Sequence, residues 1–459
     1  MTDASDDYDE AEARDAADAV YEALIARVGE GSPRPRLAPT RRAVELLGDP
    51  HRAAPVIHIT GTNGKTSTSR IIEAMLRASG LRTGLLTSPH LERFTERMSI
   101  DGEPISDEAV ARNWDEILPF LAIVDAELEG AGEEPLTFFE VLTVLAFASF
   151  ADAPVDVVVL EVGMGGEWDS TNVADGQVAV FTPIDLDHRA RLGSTITEIA
   201  RTKSGIIKPT AAVITAKQPD AALAVLEEAA ELTESSLAVE GDAFDVLESR
   251  VAVGGQLVSV RGLAGEYRDV PLPLFGRHQA ENAAVAIAAV EAFIGGGAVR
   301  LADEVVEGGL ATVTSPGRMQ AIAADPVVIV DAAHNPHGAA ALVAALDEYF
   351  DFDEVMVVLG VLGDKDAAGI VDVLARANAS FVVTRPDSDR ARDVQELSAL
   401  VAARVGADRV HIAERTDDAL DDARAWAAEA PKRAVVVTGS LVLVGEAMAI
   451  AADRGWGRA

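Results

Sequence analysis

Along most of the chain, short runs of β-branched and apolar residues alternate with longer Ala/Leu-rich stretches at helical spacing, the pattern of an α/β fold. Val56–Thr60 opens the series, and Val155–Val162, Gln177–Pro183 and Ala211–Thr215 continue it. A second series holds Val327–Asp331, Val355–Gly360, Phe381–Thr384 and Ala434–Thr438. Several of these runs are almost wholly apolar, which predicts parallel strands covered by helices on both faces. Residues 237–275 depart from the pattern: short Gly-punctuated runs such as Leu257–Val260 predict a small antiparallel insert. Helical spacing predicts helices over Tyr21–Val28, Ser69–Leu81, Val141–Phe150 and Asn282–Ile294, the last ended by Gly295–Gly297. An acidic Ala-rich lead-in (1–20) and a Pro/Gly stretch (Gly29–Pro39) precede the first strand, and Thr312–Arg318 reads as a linker. The expected organisation is a large domain over 1–313 and a smaller α/β domain over 314–459.

Composition narrows the class. With 459 residues, 49% of them apolar, the chain has enough hydrophobic material for two or three cores and is not a disordered acidic chain. The longest apolar stretches, Val141–Ala151 and Ala434–Ala451, are too short or are interrupted by Gly439, Gly445 and Glu446, so no membrane crossing is expected. The acidic start is the reverse of a basic export signal, and a cytoplasmic protein is expected. Without cysteine there is no disulfide, thiol nucleophile or thiolate metal site.

The formal charge is −36, from 75 acidic and 39 basic residues, and only 6 of the basic ones are Lys. Such a field repels nucleic acid and anionic membranes, so neither is an expected partner. Acid excess with scarce lysine is the balance expected in molar salt, where self-repulsion is screened over about 3 Å. Each retained lysine then invites the question of what Arg cannot do in its place.

The first candidate chemistry follows strand Val56–Thr60. Gly61-Thr62-Asn63-Gly64-Lys65-Thr66 joins it to a helix, the parts of a phosphate cradle: backbone N–H groups and the helix dipole face the anion, Lys65 reaches the outer phosphates, and Thr66 meets a magnesium ion. The usual first glycine is replaced by Ile59. Glu161 ends the apolar run Val157–Leu160, where open α/β sheets place ligand-binding groups. Gly163-Met164-Gly165-Gly166 follows it. Asp185-Leu186-Asp187-His188 ends the next strand. Taken singly, His188 also fits a surface histidine and Lys203 a solvated helix-face cation.

The ordered set of these motifs resembles the Mur ligase superfamily, and within it the folylpolyglutamate synthase/dihydrofolate synthase branch. The resemblance also rests on Ser88-Pro89-His90-Leu91, Thr137-Phe138-Phe139-Glu140, Asp169-Ser170-Thr171-Asn172, Lys203-Ser204-Gly205, Gly276-Arg277-His278-Gln279 before Asn282, Pro316-Gly317-Arg318, Asp331-Ala332-Ala333-His334-Asn335-Pro336 and Thr438-Gly439-Ser440. It implies a P-loop-containing Mur-ligase-like central domain and a smaller Rossmann-like glutamate-ligase domain. Thr62, Asn63, Gly64, Lys65, Thr66, Asn282, Arg318 and Asp331 are implied to bind ATP. Ser88, Glu161 and His188 are implied to hold magnesium, with two ions in the site and K⁺ as a possible monovalent partner. Lys203 is implied to be carbamylated, which a primary amine permits and a guanidinium does not. Thr137, Phe139, Glu140, Trp168, Asp169 and Ser170 are implied to face the folate or pteroate, and His334 and Ser440 the glutamate. Lys65, His188, Lys203 and His334 are the implied catalytic set.

The reaction implied is ATP-driven amide formation between a folate or dihydropteroate carboxylate and L-glutamate through an acyl phosphate, carried out by a monomer on small-molecule substrates. Two readings compete: a Mur-type ligase acting on a cell-wall or peptide precursor, and a regulatory ATPase that performs no ligation. Thr137 and Glu140 also fit a helix capping box, and Ser440 a plain turn serine. Glu167-Trp168 replaces the Arg-Leu usual at that place in the family, and Thr66 replaces a Gly.

Overall fold

The structure is a computed structural model and describes residues 4–29, 34–377 and 379–456. Parts of the acidic lead-in (1–3) and of the Pro/Gly stretch (30–33) lie outside the described residues. The chain divides into two compact units, Met1–Glu248 with Val258–Val270 and Glu281–Val313, and Ser249–Leu257 with Pro271–Ala280 and Thr314–Ala459.

The first unit is built on an eight-stranded sheet of β1 (Val56–Thr60), β2 (Thr83–Leu86), β3 (Met98–Ile100), β4 (Glu103–Pro104), β5 (Val157–Glu161), β6 (Gly176–Phe181), β7 (Ala212–Thr215) and β8 (Ser236–Val239), in the order β4-β3-β2-β5-β1-β6-β7-β8. The six strands from β2 to β8 are parallel, with β1 paired to β5 and β6, and β3 and β4 add an antiparallel edge. All five residues of β1 and of β5 are buried, as the apolar runs require. On one face the helices Asp107–Gly130 and Phe138–Asp152 close a core with Leu121, Leu142, Phe147 and Leu160. A second core, with Phe181, Ile199 and Leu226, lies beyond β6.

Two expectations change here. The lead-in and the helix expected at Tyr21 form one helix, Ala4–Ile25, whose buried stripe is Ala17, Val20 and Leu24. Its acidic residues dominate the composition, but three apolar residues on one face suffice to seat it. Residues 237–239, expected in the insert, lie in β8, paired parallel with β7.

The insert is the three-stranded sheet β9 (Asp245–Ala252), β10 (Gly255–Arg261) and β11 (Glu266–Leu272), whose connections are too short for parallel crossovers. In the second unit, β12 (Gln320–Ala324), β13 (Val327–Asp331), β14 (Glu354–Leu359), β15 (Ala379–Val383), β16 (Val410–Ile412) and β17 (Arg433–Thr438) form a sheet ordered β12-β13-β17-β14-β15-β16. It is parallel except for β12. Its core gathers Ile329, Leu342, Leu359, Phe381 and Leu397. Among the described residues no helix is long and apolar enough to cross a membrane.

Candidate active site

The C-terminal ends of β1, β2, β5 and β6 are neighbours, so the sheet itself gathers the loop Gly61–Gly64, Ser88, Glu161 and the segment Pro183–His188 on one edge. The helix after β1 starts at Lys65, earlier than the spacing suggested, with Gly64 as its N-cap at φ 86°. Both loop glycines are required. At Gly61 (φ 152°) a Cβ would stand 1.8 Å from Thr182 Oγ1, and at Gly64 it would stand 2.6 Å from Asn282 Oδ1. The second distance also places Asn282 against the loop. Thr62 N donates to Pro183 O (2.9 Å) and Thr62 Oγ1 to Asp185 O (3.0 Å), tying the loop to the next strand end.

Two ammonium groups converge on one carbonyl. Lys65 Nζ donates to Gly61 O at 3.3 Å and Thr62 O at 3.4 Å, and Lys203 Nζ donates to the same Gly61 O at 2.7 Å. Lys203 is 4% exposed, which rules out the solvated-cation alternative. Burial, reinforced by the Lys65 charge, lowers its pKa to about 7, against the opposing pull of Asp187 and Asp169. A neutral amine is therefore well populated at neutral pH.

Thr66 Oγ1 donates to Glu161 Oε1 at 2.9 Å, and Glu161 is buried at its strand end. Ser88 follows β2 by two residues and is half-buried. His188 adopts φ 49°, with Nε2 3.8 Å from Asp187 Oδ2, and Asp187 Oδ1 accepts His188 N at 2.7 Å. Among the described residues no three His, Cys, Asp or Glu side chains form a metal cage. The oxygen donors Thr66 and Glu161 at the mouth of a phosphate loop do fit magnesium, which keeps most of its ligands as water and phosphate.

Beside this edge lies the segment expected to face folate. Phe139 packs over Gly163, where a Cβ would stand 2.7 Å from the ring and 3.2 Å from Asp169 Oδ2. Asp169 is buried and its acceptor capacity is heavily used: Oδ1 takes Thr171 N (3.0 Å) and Thr171 Oγ1 (2.6 Å), and Oδ2 takes Met164 N (2.9 Å). Burial raises its pKa, opposed by these donors. Ser170 is buried in the short turn that Asp169 caps, and Trp168 is half-buried against the core of Ile199 and Leu192.

Glu140 fills the capping-box role that its spacing also allowed, and pairs with an arginine that the spacing did not suggest. Its carboxylate accepts Arg36 Nε (2.9 Å) and Nη2 (3.0 Å), and closes a capping box with Thr137, whose N donates to it at 2.7 Å. At 3% exposure it offers a ligand almost no surface, and its position is explained by the ion pair and the helix start.

In the second unit, Asp331 ends β13 and is buried, with its pKa raised by burial. Its Oδ2 accepts Met319 N and its Oδ1 accepts Ala333 N, both at 2.9 Å, and the Arg318 guanidinium provides the nearby positive field. His334 Nδ1 lies 2.9 Å from Ala332 O. A carbonyl only accepts, so Nδ1 carries the hydrogen and Nε2 is the basic nitrogen. Ser440 is buried at the end of β17 and caps the helix Leu441–Asp453, its Oγ accepting Leu443 N at 3.1 Å. Gly439 N donates to Ala333 O at 3.0 Å, so the ends of β13 and β17 meet.

Two further histidines join this group. Burial, together with Arg318 and His337, lowers the pKa of His278 to about 4. His278 stands in Gly276-Arg277-His278-Gln279 and His337 follows His334 by three residues, so spacing alone could have raised both as candidates. Arg36, 104 residues from Glu140, left no sequence signal.

Two family models match the chain. Residues 59–290 match the Mur ligase middle domain, and residues 317–441 match the Mur ligase glutamate ligase domain. The chain is 45% identical over 434 residues to dihydrofolate synthase/folylpolyglutamate synthase of Mycobacterium tuberculosis, covering 90% of this chain and 89% of that protein. A structure of the Mycobacterium tuberculosis folylpolyglutamate synthase complexed with ADP is similar at a TM-score of 0.91 and 44% identity, over 95% of this chain and 98% of that one. A probable bifunctional folylpolyglutamate synthase/dihydropteroate synthase of Haloferax volcanii is 38% identical over 418 residues, which is 90% of this chain and 48% of that protein.

Proposed function

This chain belongs to the folylpolyglutamate/dihydrofolate synthase family of the Mur ligase superfamily and is an ATP-dependent ligase; from that premise we propose that it joins L-glutamate to a carboxylate of dihydropteroate, of a folate, or of both. The observation that carries the reading is the convergence of Lys65, Lys203, Thr66 and Glu161 on one phosphate loop.

A substrate carboxylate oxygen attacks the γ-phosphorus of ATP, the bond to the β-phosphate oxygen breaks, and ADP leaves behind an acyl phosphate. The glutamate amine then attacks the acyl carbon, the C–O bond to phosphate breaks, and the amine gives up a proton. Lys65 and the loop amides hold the outer phosphates, and Asn282 borders them. Thr66 and Glu161, with Ser88 and His188 from neighbouring loops, would hold magnesium, which when bound neutralises developing phosphate charge. The family resemblance assigns Asp331 and Arg318 to the nucleotide, Ser440 to the glutamate and the receipt of the proton to His334. Phe139, over Gly163, offers an aromatic face for a pterin ring.

A neutral Lys203 amine can add carbon dioxide to become a carbamate, an anionic acceptor beside the loop. K⁺ is a fitting monovalent ion, and we read the protein as a cytoplasmic monomer. ATP turnover measured with dihydropteroate, tetrahydrofolate and nucleotide-sugar peptides, each with and without glutamate, tests the reading. Turnover that needs a pterin acceptor and glutamate together supports it; turnover with the sugar peptides, or without any acceptor, contradicts it.

The −36 charge belongs in this account to the solvent rather than to the ligands, since ATP, glutamate and folate are all anions. The expected result is a melting temperature that climbs by roughly 10 °C or more between low salt and multimolar KCl, as self-repulsion is screened. A melting temperature indifferent to KCl removes the salt adaptation.

A further inference from the structure

A histidine at the centre of a buried parallel strand calls for a reason. His58 lies between Leu160 of β5 and Ala179 of β6 and is fully buried, in a strand otherwise made of Val, Ile and one Thr. Its ring stays neutral, because burial and the nearby Lys208 charge lower its pKa to about 3.

The ring belongs to a buried chain of hydrogen bonds. His58 Nε2 is 2.8 Å from Thr171 Oγ1, and Thr171 Oγ1 donates to Asp169 Oδ1 at 2.6 Å. His58 and Thr171 are 0% exposed and Asp169 4%. An ionised carboxylate only accepts, so the single Thr171 hydroxyl hydrogen goes to Asp169, and the Thr171 oxygen must accept from His58. That fixes the hydrogen on Nε2 and leaves Nδ1 an acceptor, which has no hydrogen-bond partner among the described residues. The reverse polarity would bury an orphaned N–H at Nδ1 and put a proton on Asp169, the costlier arrangement.

We propose that His58 is a positioning residue for the loop Gly163–Asn172: through Thr171 it holds Asp169 as an ionised acceptor, and Asp169 in turn fixes the backbone under Phe139. The inference rests on the folate reading above in naming that loop the pterin-side wall. Asp169 gathers the amides of Met164 and Thr171, and β1 grips the same loop at a second point, where Thr60 Oγ1 donates to Gly165 O at 2.7 Å. The strand that delivers the phosphate loop at one end thus sets the shape of the adjacent loop through His58.

The test compares His58→Gln, which keeps a donor near the Nε2 position, with His58→Met, which has similar length and none. In the Met variant the KM for dihydropteroate should rise roughly tenfold while kcat and the KM for ATP stay within about twofold, and the amides of Met164 and Thr171 should exchange with deuterium roughly tenfold faster. The Gln variant should behave as wild type in both readouts. A Met variant with wild-type KM and exchange, or a Gln variant no better than Met, overturns the proposal. If the Met variant does not fold, Thr171→Val against Thr171→Ser makes the same comparison at the next link. A wild-type enzyme that ligates no pterin substrate removes the folate reading, whereas the exchange data judge His58 independently of it.

Discussion

Replacing Lys65 by Met should lower kcat by roughly 10³-fold or more, with a much smaller change in the KM for ATP. The loop amides remain to bind the nucleotide in its ground state. What is lost is a cation held at a fixed place, between the carbonyls of Gly61 and Thr62, facing the charge that builds on the transferring phosphoryl group. Lys65 also acts on its neighbour. Its charge is the second cause, after burial, of the lowered Lys203 pKa, so the Met variant should restore protons to Lys203 near neutral pH. The loss should therefore be steeper at pH 7 than at pH 9, which single-turnover ADP formation across that range will show. Comparable activity in Lys65→Met would remove the loop from the chemistry.

Lys203→Ala is the second large effect, a roughly 10²- to 10³-fold loss of activity. Short carboxylic acids should restore part of it by standing in for a carbamate, and bicarbonate should not, because no amine remains to react. Full activity in the unrescued variant would refute the assignment. The same lysine has a stability signature. In the unfolded chain the amine titrates near its ordinary value, about 10, whereas the native amine has lost its proton above about pH 7. Between these values the unfolded state holds the additional proton, so stability of protein stripped of carbon dioxide should rise with pH across that window. Lys203→Met should abolish that slope in melting temperature.

What was readable in the chain followed from local spacing. The strand Val56–Thr60, the glycines after it, Lys65 beside them and Glu161 at the end of an apolar run are each set by residues within a few positions, and the parallel topology then brings their ends together. The capping box at Thr137 and Glu140 was readable for the same reason. The partner that occupies Glu140 was not, because Arg36 lies 104 residues earlier, across four strands and the helices between them, with no spacing rule to link the two. Lys203 meets Gly61 O across 142 residues, and only the folded chain shows that its amine is dry. The helix Ala4–Ile25 was masked by its acids: a stripe of Ala17, Val20 and Leu24 is too sparse to outweigh them in a periodicity, yet enough to pack. His58 looked like one more residue of a buried strand until Thr171 and Asp169 appeared beside its ring.

The most direct test of the account is mass analysis of the product formed from dihydropteroate, and separately from tetrahydrofolate, with MgATP and L-glutamate in high KCl. At least one acceptor should gain one or more glutamyl residues, with one ADP and one phosphate released for each residue added. ADP released with no glutamyl product from either acceptor would contradict it.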